Sequence, residues 1–181
     1  AIGERTIEVG DGGSYNTAVG RTALRSVTGD YNTAVGIKAG YVLTSGTLNT
    51  LMGAFAGYDL ETGNSNVALG YGALANEEDG DRNVAIGLNS LEVQKNSSDT
   101  DVNNTAVGYN SGQSVSTGYK NTLIGSFSGT HGVDLTTGYS NVLVGYNTGV
   151  SANDSRFQIV LGDTISGGED FQVTIGKENN V

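Results

Sequence analysis

The sequence predicts an all-β chain, a parallel β-solenoid (β-roll) of about ten coils of roughly 17 residues each. Three observations predict it. A pentapeptide of the form Asn-Thr-Ala-Val-Gly returns from end to end; its closing glycines are almost evenly spaced; and each position within it keeps its chemical character from copy to copy. The clearest copy is Asn104 to Gly112, Asn-Thr-Ala-Val-Gly-Tyr-Asn-Ser-Gly. Its first half recurs at Asn16 to Gly20, Asn32 to Gly36, Asn49 to Gly53, Asn66 to Gly70, Asn83 to Gly87, Asn121 to Gly125 and Asn141 to Gly145, with degenerate copies at Gln158 to Gly162 and Gln172 to Gly176. Between closing glycines the steps are 16, 17, 17, 17, 21, 17, 20, 17 and 14 residues. Helical-hairpin repeats and propeller blades run to roughly 33 residues or more. A unit half that length suits one coil of two short strands and two turns.

Taken in order, residues 1–13 form a lead-in with two shortened echoes, Ala1-Ile2-Gly3 and Ile7-Glu8-Val9-Gly10. Residues 14–150 carry the regular coils. Residues 151–181 hold the degenerate last coils and a transition to a following module. Within each copy the second position is Thr, Val or Ile, β-branched throughout, as a pleated strand prefers. The fourth is always apolar, as in Val19, Met52, Leu69 and Ile124. Side chains alternate across a strand, so these two columns share one face and the third column (Ala18, Ala34, Leu51, Ala68, Ala85, Ala106, Leu123, Leu143) faces the other way. Apolar character on both faces reads as burial on both. A coil has one interior, so the second face implies an oligomer, with the small third column expected where neighbouring chains approach an axis.

A Gly stands three residues before most of the Asn positions, at Gly13, Gly29, Gly46, Gly63, Gly80, Gly118 and Gly138, with Asp101 as the exception. It reads as a tight turn needing positive φ. After the closing Gly comes a column of Leu or Gly, preceded by Ala, Ser or Thr, which implies a narrow interior with little room for a cofactor; none is expected. The Asn column itself (Asn16, Asn32, Asn49, Asn66, Asn83, Asn104, Asn121, Asn141) is expected to stack at roughly 4.8 Å as a structural amide ladder.

The chain has no Cys, Pro or Trp and a net charge of −10. Nucleic acid and anionic membranes reward Lys and Arg, so this charge disfavours both as partners. No run of 18 apolar residues exists, so membrane insertion is not expected. Ala1-Ile2-Gly3-Glu4 does not open a signal peptide, and the chain reads as a fragment of something longer.

Asn16-Thr-Ala-Val-Gly20, Asn32-Thr-Ala-Val-Gly36 and Asn104 to Gly112 resemble the repeats of bacteriophage tail fibres. They are also similar, with longer spacing, to the head repeats of trimeric autotransporter adhesins. Phe157 to Thr164 resembles the end of such an array. The resemblance covers about residues 14–176 and implies a left-handed β-roll assembled as a homotrimer. As a segment of a virion tail fibre it would attach to a host cell-surface receptor, a glycan or a protein. The alternatives are an adhesin head on the bacterial outer surface and a fibre hydrolase that degrades glycans.

Little in the residues points to catalysis, and no enzyme activity is expected. His131 has no second His to share a metal, and no metal site is expected. The acids Glu77, Glu78, Asp79 and Asp81, and the pair Glu169 and Asp170, are candidates for glycosidase carboxylates but read as solvated turn charges. Receptor binding is expected instead at the two long steps, within Leu91 to Val102 and Gly129 to Thr137. Insertions in solenoids often project from a binding face. Lys95, Asn96, Asp99, Asp101, His131 and Asp134 supply polar groups there, expected on one edge two coils apart, with Tyr119 and Tyr139 as sugar-stacking platforms. Tolerated loop drift with no ligand is the competing explanation.

Overall fold

A computed structural model describes residues 1–7, 13–96 and 101–177. All regular structure in these residues is β. The strands are β1 (Thr17–Val19), β2 (Thr33–Val35), β3 (Thr50–Met52), β4 (Val67–Leu69), β5 (Val84–Ile86), β6 (Thr105–Val107), β7 (Thr122–Ile124), β8 (Val142–Val144), β9 (Thr148–Gly149), β10 (Ile159–Asp163), β11 (Ile165–Ser166) and β12 (Val173–Lys177). Ten of them form one parallel sheet in chain order, β1 to β8 followed by β10 and β12, so the chain winds about nine turns of a β-solenoid. Pairing is column on column: Thr33 faces Thr50, Ala34 faces Leu51 and Val35 faces Met52. At the leading end, Ile2 pairs with Val19 as a partial first coil; the second echo falls largely outside the described residues.

The strands are one side of each coil; the rest is irregular but also hydrogen-bonded from coil to coil. Lys38 N–H donates to Arg21 O at 2.9 Å and Leu48 N–H to Asp30 O at 3.1 Å. These stretches satisfy the backbone groups that a buried loop would otherwise leave orphaned. The corners are made by left-handed residues, and most are not glycine. The residue just before each Asn has positive φ whatever its type, as in Tyr31 (60°), Leu48 (61°), Ser65 (59°) and Lys120 (57°). Each such residue costs of order 1 kcal/mol and persists because coils on both sides fix it.

Positive φ at the Gly three places before the Asn, expected from sequence, is found only at Gly13. Gly29, Gly46, Gly63, Gly80, Gly118 and Gly138 do not adopt it. Crowding explains most of them: a Cβ on Gly63 would lie 2.6 Å from Gly80 O of the next coil. The glycine lets backbones stack.

The two strand faces are also exchanged relative to expectation. The third column is the interior: Ala34, Leu51, Ala68, Ala85, Ala106, Leu123 and Leu143 are fully buried within the single chain. The second and fourth columns face outward and are half-buried or exposed, with Met52 and Ile124 each 40% exposed. Volume is the reason. Opposite the third column stands the column Leu24, Gly40, Gly57, Leu74, Leu91, Gly112, and the two are complementary in size. Where the strand has Leu51 the far wall has Gly57, and a Cβ there would sit 2.9 Å from Leu51 Cδ2. Where both walls are small, as at Ala106 and Gly112, Leu91 and Leu123 reach in from adjacent coils, each 2.7–2.8 Å from where a Gly112 Cβ would be. The core is a stack of leucines alternating between two walls, close-packed as interiors are.

The asparagines line the interior edge, buried from Asn32 to Asn141. They do not bond chiefly amide to amide. Asn32 Oδ1 accepts the backbone N–H of Asn49 at 3.0 Å, and Asn32 Nδ2 donates to Gly46 O at 2.9 Å. The same pair of bonds recurs at Asn16, Asn49, Asn66, Asn104 and Asn121. Each of these amides thus holds both the next strand and the next turn.

Candidate functional site

The two insertions enter the coil at different points. A corner column, Leu43, Leu60, Glu77, Gln94, Val115 and Leu135, fills the interior where the second segment turns into the third. The standard unit has five residues between this corner and the next Asn, as from Glu61 to Ser65. The first insertion follows its corner residue, Gln94. The second precedes its corner residue, Leu135. They therefore flank opposite sides of the corner rather than sharing one edge.

Beneath the first insertion the apolar column is interrupted by two fully buried polar residues, Glu77 and Gln94. Glu77 Oε1 accepts the backbone N–H groups of Glu78 (3.1 Å), Gly80 (3.0 Å) and Asn96 (2.9 Å). Its Oε2 accepts Gln94 Nε2 (2.5 Å) and Asn96 Nδ2 (3.0 Å). Five donors satisfy one buried carboxylate, the condition under which such a group is tolerated. Gln94 Oε1 in turn accepts Asn104 Nδ2 at 2.8 Å. Glu77 is thus a buried anchor, not the solvated turn charge expected. Lys95 pairs with Glu78 at 2.7 Å, which raises the lysine pKa, and Asp101 pairs with Arg82. Asp99 lies outside the described residues.

The first insertion breaks the column of stacking glycines: Asp101 bridges Asp81, and Val102 Cγ2 lies 2.8 Å from where a Gly80 Cβ would be. Asn83 Nδ2 is buried and has no hydrogen-bond partner, where every equivalent amide that keeps the pattern finds a turn carbonyl.

The second insertion folds onto the coil after it. Thr148 O accepts Gly129 N–H (2.7 Å), Thr130 N–H (3.1 Å) and His131 N–H (3.3 Å), and Val133 bridges Val150. Ser166 Oγ donates to His131 O at 3.1 Å, and His131 Nδ1 lies 3.0 Å from Asn147 Nδ2. Asp134 Oδ2 accepts Ser114 Oγ at 2.9 Å. Tyr119 and Tyr139 belong to the third segment, each two residues before its Asn. Their rings stack on each other, centroids 4.9 Å apart and 4° from parallel. Arg156 Nη1 donates to Tyr139 Oη at 3.3 Å, and Arg156 Nε pairs with Asp170 at 3.1 Å. Asp170 also accepts the Arg156 backbone N–H, and these contacts hold its carboxyl below the usual range.

Two of the other candidate acids are committed to neighbouring coils. Asp79 accepts Thr62 Oγ1 at 2.7 Å and Asp81 accepts Asn64 N–H at 2.6 Å. Among the described residues no group of three or more His, Cys, Asp or Glu could hold a metal ion, and no helix is long and apolar enough to cross a membrane. The sequence reading passed over a third cluster, Arg25, Lys38, Tyr41, Phe55 and Tyr58, on the outer side of the second segment. Its signal was the 17-residue spacing of Tyr41 and Tyr58. Comparison with protein-family models, curated proteins and solved structures finds no match to this chain, so its function is read from its own residues and geometry.

Proposed function

We propose that this chain is a structural and binding segment of a trimeric viral tail fibre, a homotrimer of left-handed β-rolls that attaches to a host cell-surface receptor through the residues flanking its two insertions. The observation that carries the assembly is the outward face of the ten-stranded sheet. Its fourth column is apolar along its length, with Met52, Leu69 and Ile124 each 38–40% exposed, and the next outward column adds Ile37, Tyr71, Tyr109 and Tyr146. The interior is already filled by the leucine stack, so this continuous apolar stripe is free to pack against other copies.

Sedimentation of the purified chain tests the assembly: a trimer is expected, and a monodisperse monomer at micromolar concentration overturns it. Trimming both insertions to the standard unit tests the receptor reading. Attachment to host cells should fall while the melting temperature stays within a few degrees; undiminished attachment places the receptor site elsewhere.

A further inference from the structure

We propose that the cluster Arg25, Lys38, Tyr41, Phe55 and Tyr58 is a binding shelf for an acidic saccharide, one bearing a uronic-acid type of carboxylate. This site is separate from both insertions. Tyr41 and Tyr58 occupy the same position in successive coils and stack with centroids 5.2 Å apart, 2° from parallel. Phe55 leans against Tyr58 at 5.8 Å and 51°. In the next coil the equivalents of Phe55 and Tyr58 are Gly72 and Ala75, so the tyrosine stack ends in a step at Tyr58, while Tyr71 of that coil packs edge-on against Phe55 at 5.7 Å. Flat rings with hydroxyl edges beside such a step suit the C–H face and hydroxyls of a pyranose.

Charge selects the class of sugar. Lys38 Nζ sits 5.3, 5.7 and 5.4 Å from the ring centroids of Tyr41, Phe55 and Tyr58. Arg25 lies 5.3 Å over Tyr41 and donates to its hydroxyl at 2.5 Å. Arg21, Arg82, Lys95 and Arg156 are each neutralised by a carboxylate. Lys38, among the described residues, has aromatic partners and no acid. In a chain of net charge −10, a half-buried ammonium caged by three rings is complementary to a ligand carboxylate held against the same rings.

The test uses calorimetric titration of the intact protein with an oligogalacturonate and, separately, with its neutral methyl ester. The acid form should bind about tenfold more tightly than the ester, the difference that one charge-assisted contact supplies. Lys38→Gln should bring the acid down to the ester's affinity, Tyr58→Ala should abolish both, and Lys120→Gln, which removes a cation over the single ring of Tyr119, should change neither. A dichroism melt confirms that each variant is folded. Equal binding of acid and ester by the parent, acid binding retained in Lys38→Gln, or loss on Lys120→Gln overturns the proposal. The insertion-trimmed protein should bind the oligogalacturonate unchanged, so failure of the receptor reading and failure of this one are separable.

Discussion

Asn66 and Asn83 stand in the same column on adjacent coils, yet their amides are not equally bonded. Asn66 Oδ1 accepts the Asn83 backbone N–H at 2.8 Å and Asn66 Nδ2 donates to Gly80 O at 2.9 Å. Asn83 keeps the first kind of bond, to Asn104 N–H at 3.1 Å, and lacks the second. The ladder is therefore complete at one rung and half-made at the next.

It follows that Asn66→Ala should be the costlier change. Removing both bonds leaves a strand N–H and a turn carbonyl without partners, about 1–3 kcal/mol per chain. Asn83→Ala deletes an amide whose Nδ2 is already unpaired and should cost clearly less. Urea denaturation of the two variants checks the order; an equal or reversed order contradicts it.

Ala85 and Ile86 should behave oppositely although they are neighbours. Ala85 points into the leucine stack, so Ala85→Glu places a carboxylate in an apolar interior at a cost of several kcal/mol and should prevent folding of the chain itself. Ile86→Glu, like Leu69→Glu or Ile124→Glu on the same outward column, should leave the coil's dichroism intact and weaken self-association. Sedimentation combined with dichroism separates the outcomes: a folded Ala85→Glu, or an outward variant that unfolds, refutes the assignment of faces.

Glu77→Leu matches the residue of the preceding coil, Leu60, but strands the donors of Gly80, Gln94 and Asn96. A loss of about 3 kcal/mol is expected, in line with breaking other buried charge networks. Glu77→Leu combined with Gln94→Leu should cost less than the sum of the two single changes, because the pair is coupled. A thermodynamic cycle from denaturant midpoints measures this, and strict additivity counts against a shared network.

Asp170 sets a pH dependence for the last coil. Its carboxyl is held below the ordinary value, chiefly by the Arg156 backbone N–H. The stabilisation is therefore fully present above about pH 4, the unfolded aspartate range, and disappears as pH falls through the lower folded value. Hydrogen exchange in residues 158–176 should speed up below that range in the parent and be fast at all pH values in Asp170→Asn. Acid-independent exchange in the parent would contradict the ion pair's role.

The period, the strand positions and their register were legible in the sequence because identity at Asn, Gly and the β-branched site repeats with the chain's own geometry. Which face is inward was not. Val, Ile, Met and Leu in the fourth column are more apolar than Ala in the third, and apolarity alone points the wrong way. The discriminating signal was volume: Leu51 paired with Gly57 and Ala68 paired with Leu74 show two columns sharing one space. Gly63 looks in sequence like a positive-φ turn because close backbone stacking and left-handed turns recruit the same residue. The strain instead falls on Tyr31, Leu48 and Lys120, whose side chains carry no sign of it. Of the candidate sites, the insertions were legible as irregular steps. Glu77 looked like one more surface acid, since its burial depends on a corner that only the folded coil defines.

The size-matched ladder has a consequence for how such a chain can change length. Each Asn engages only the coils next to it, and each leucine fills space only in adjacent coils. Excising Asn32 to Leu48 would set Asn16 against Asn49 with every rung re-formed, whereas removing a few residues fewer would force a bulge at a corner. Gain or loss of chain is thus quantised in whole turns, and any remainder must surface as a loop. The insertions near Gln94 and Leu135 are such remainders, so the lattice that fixes the rod's length also decides where new surface can arise.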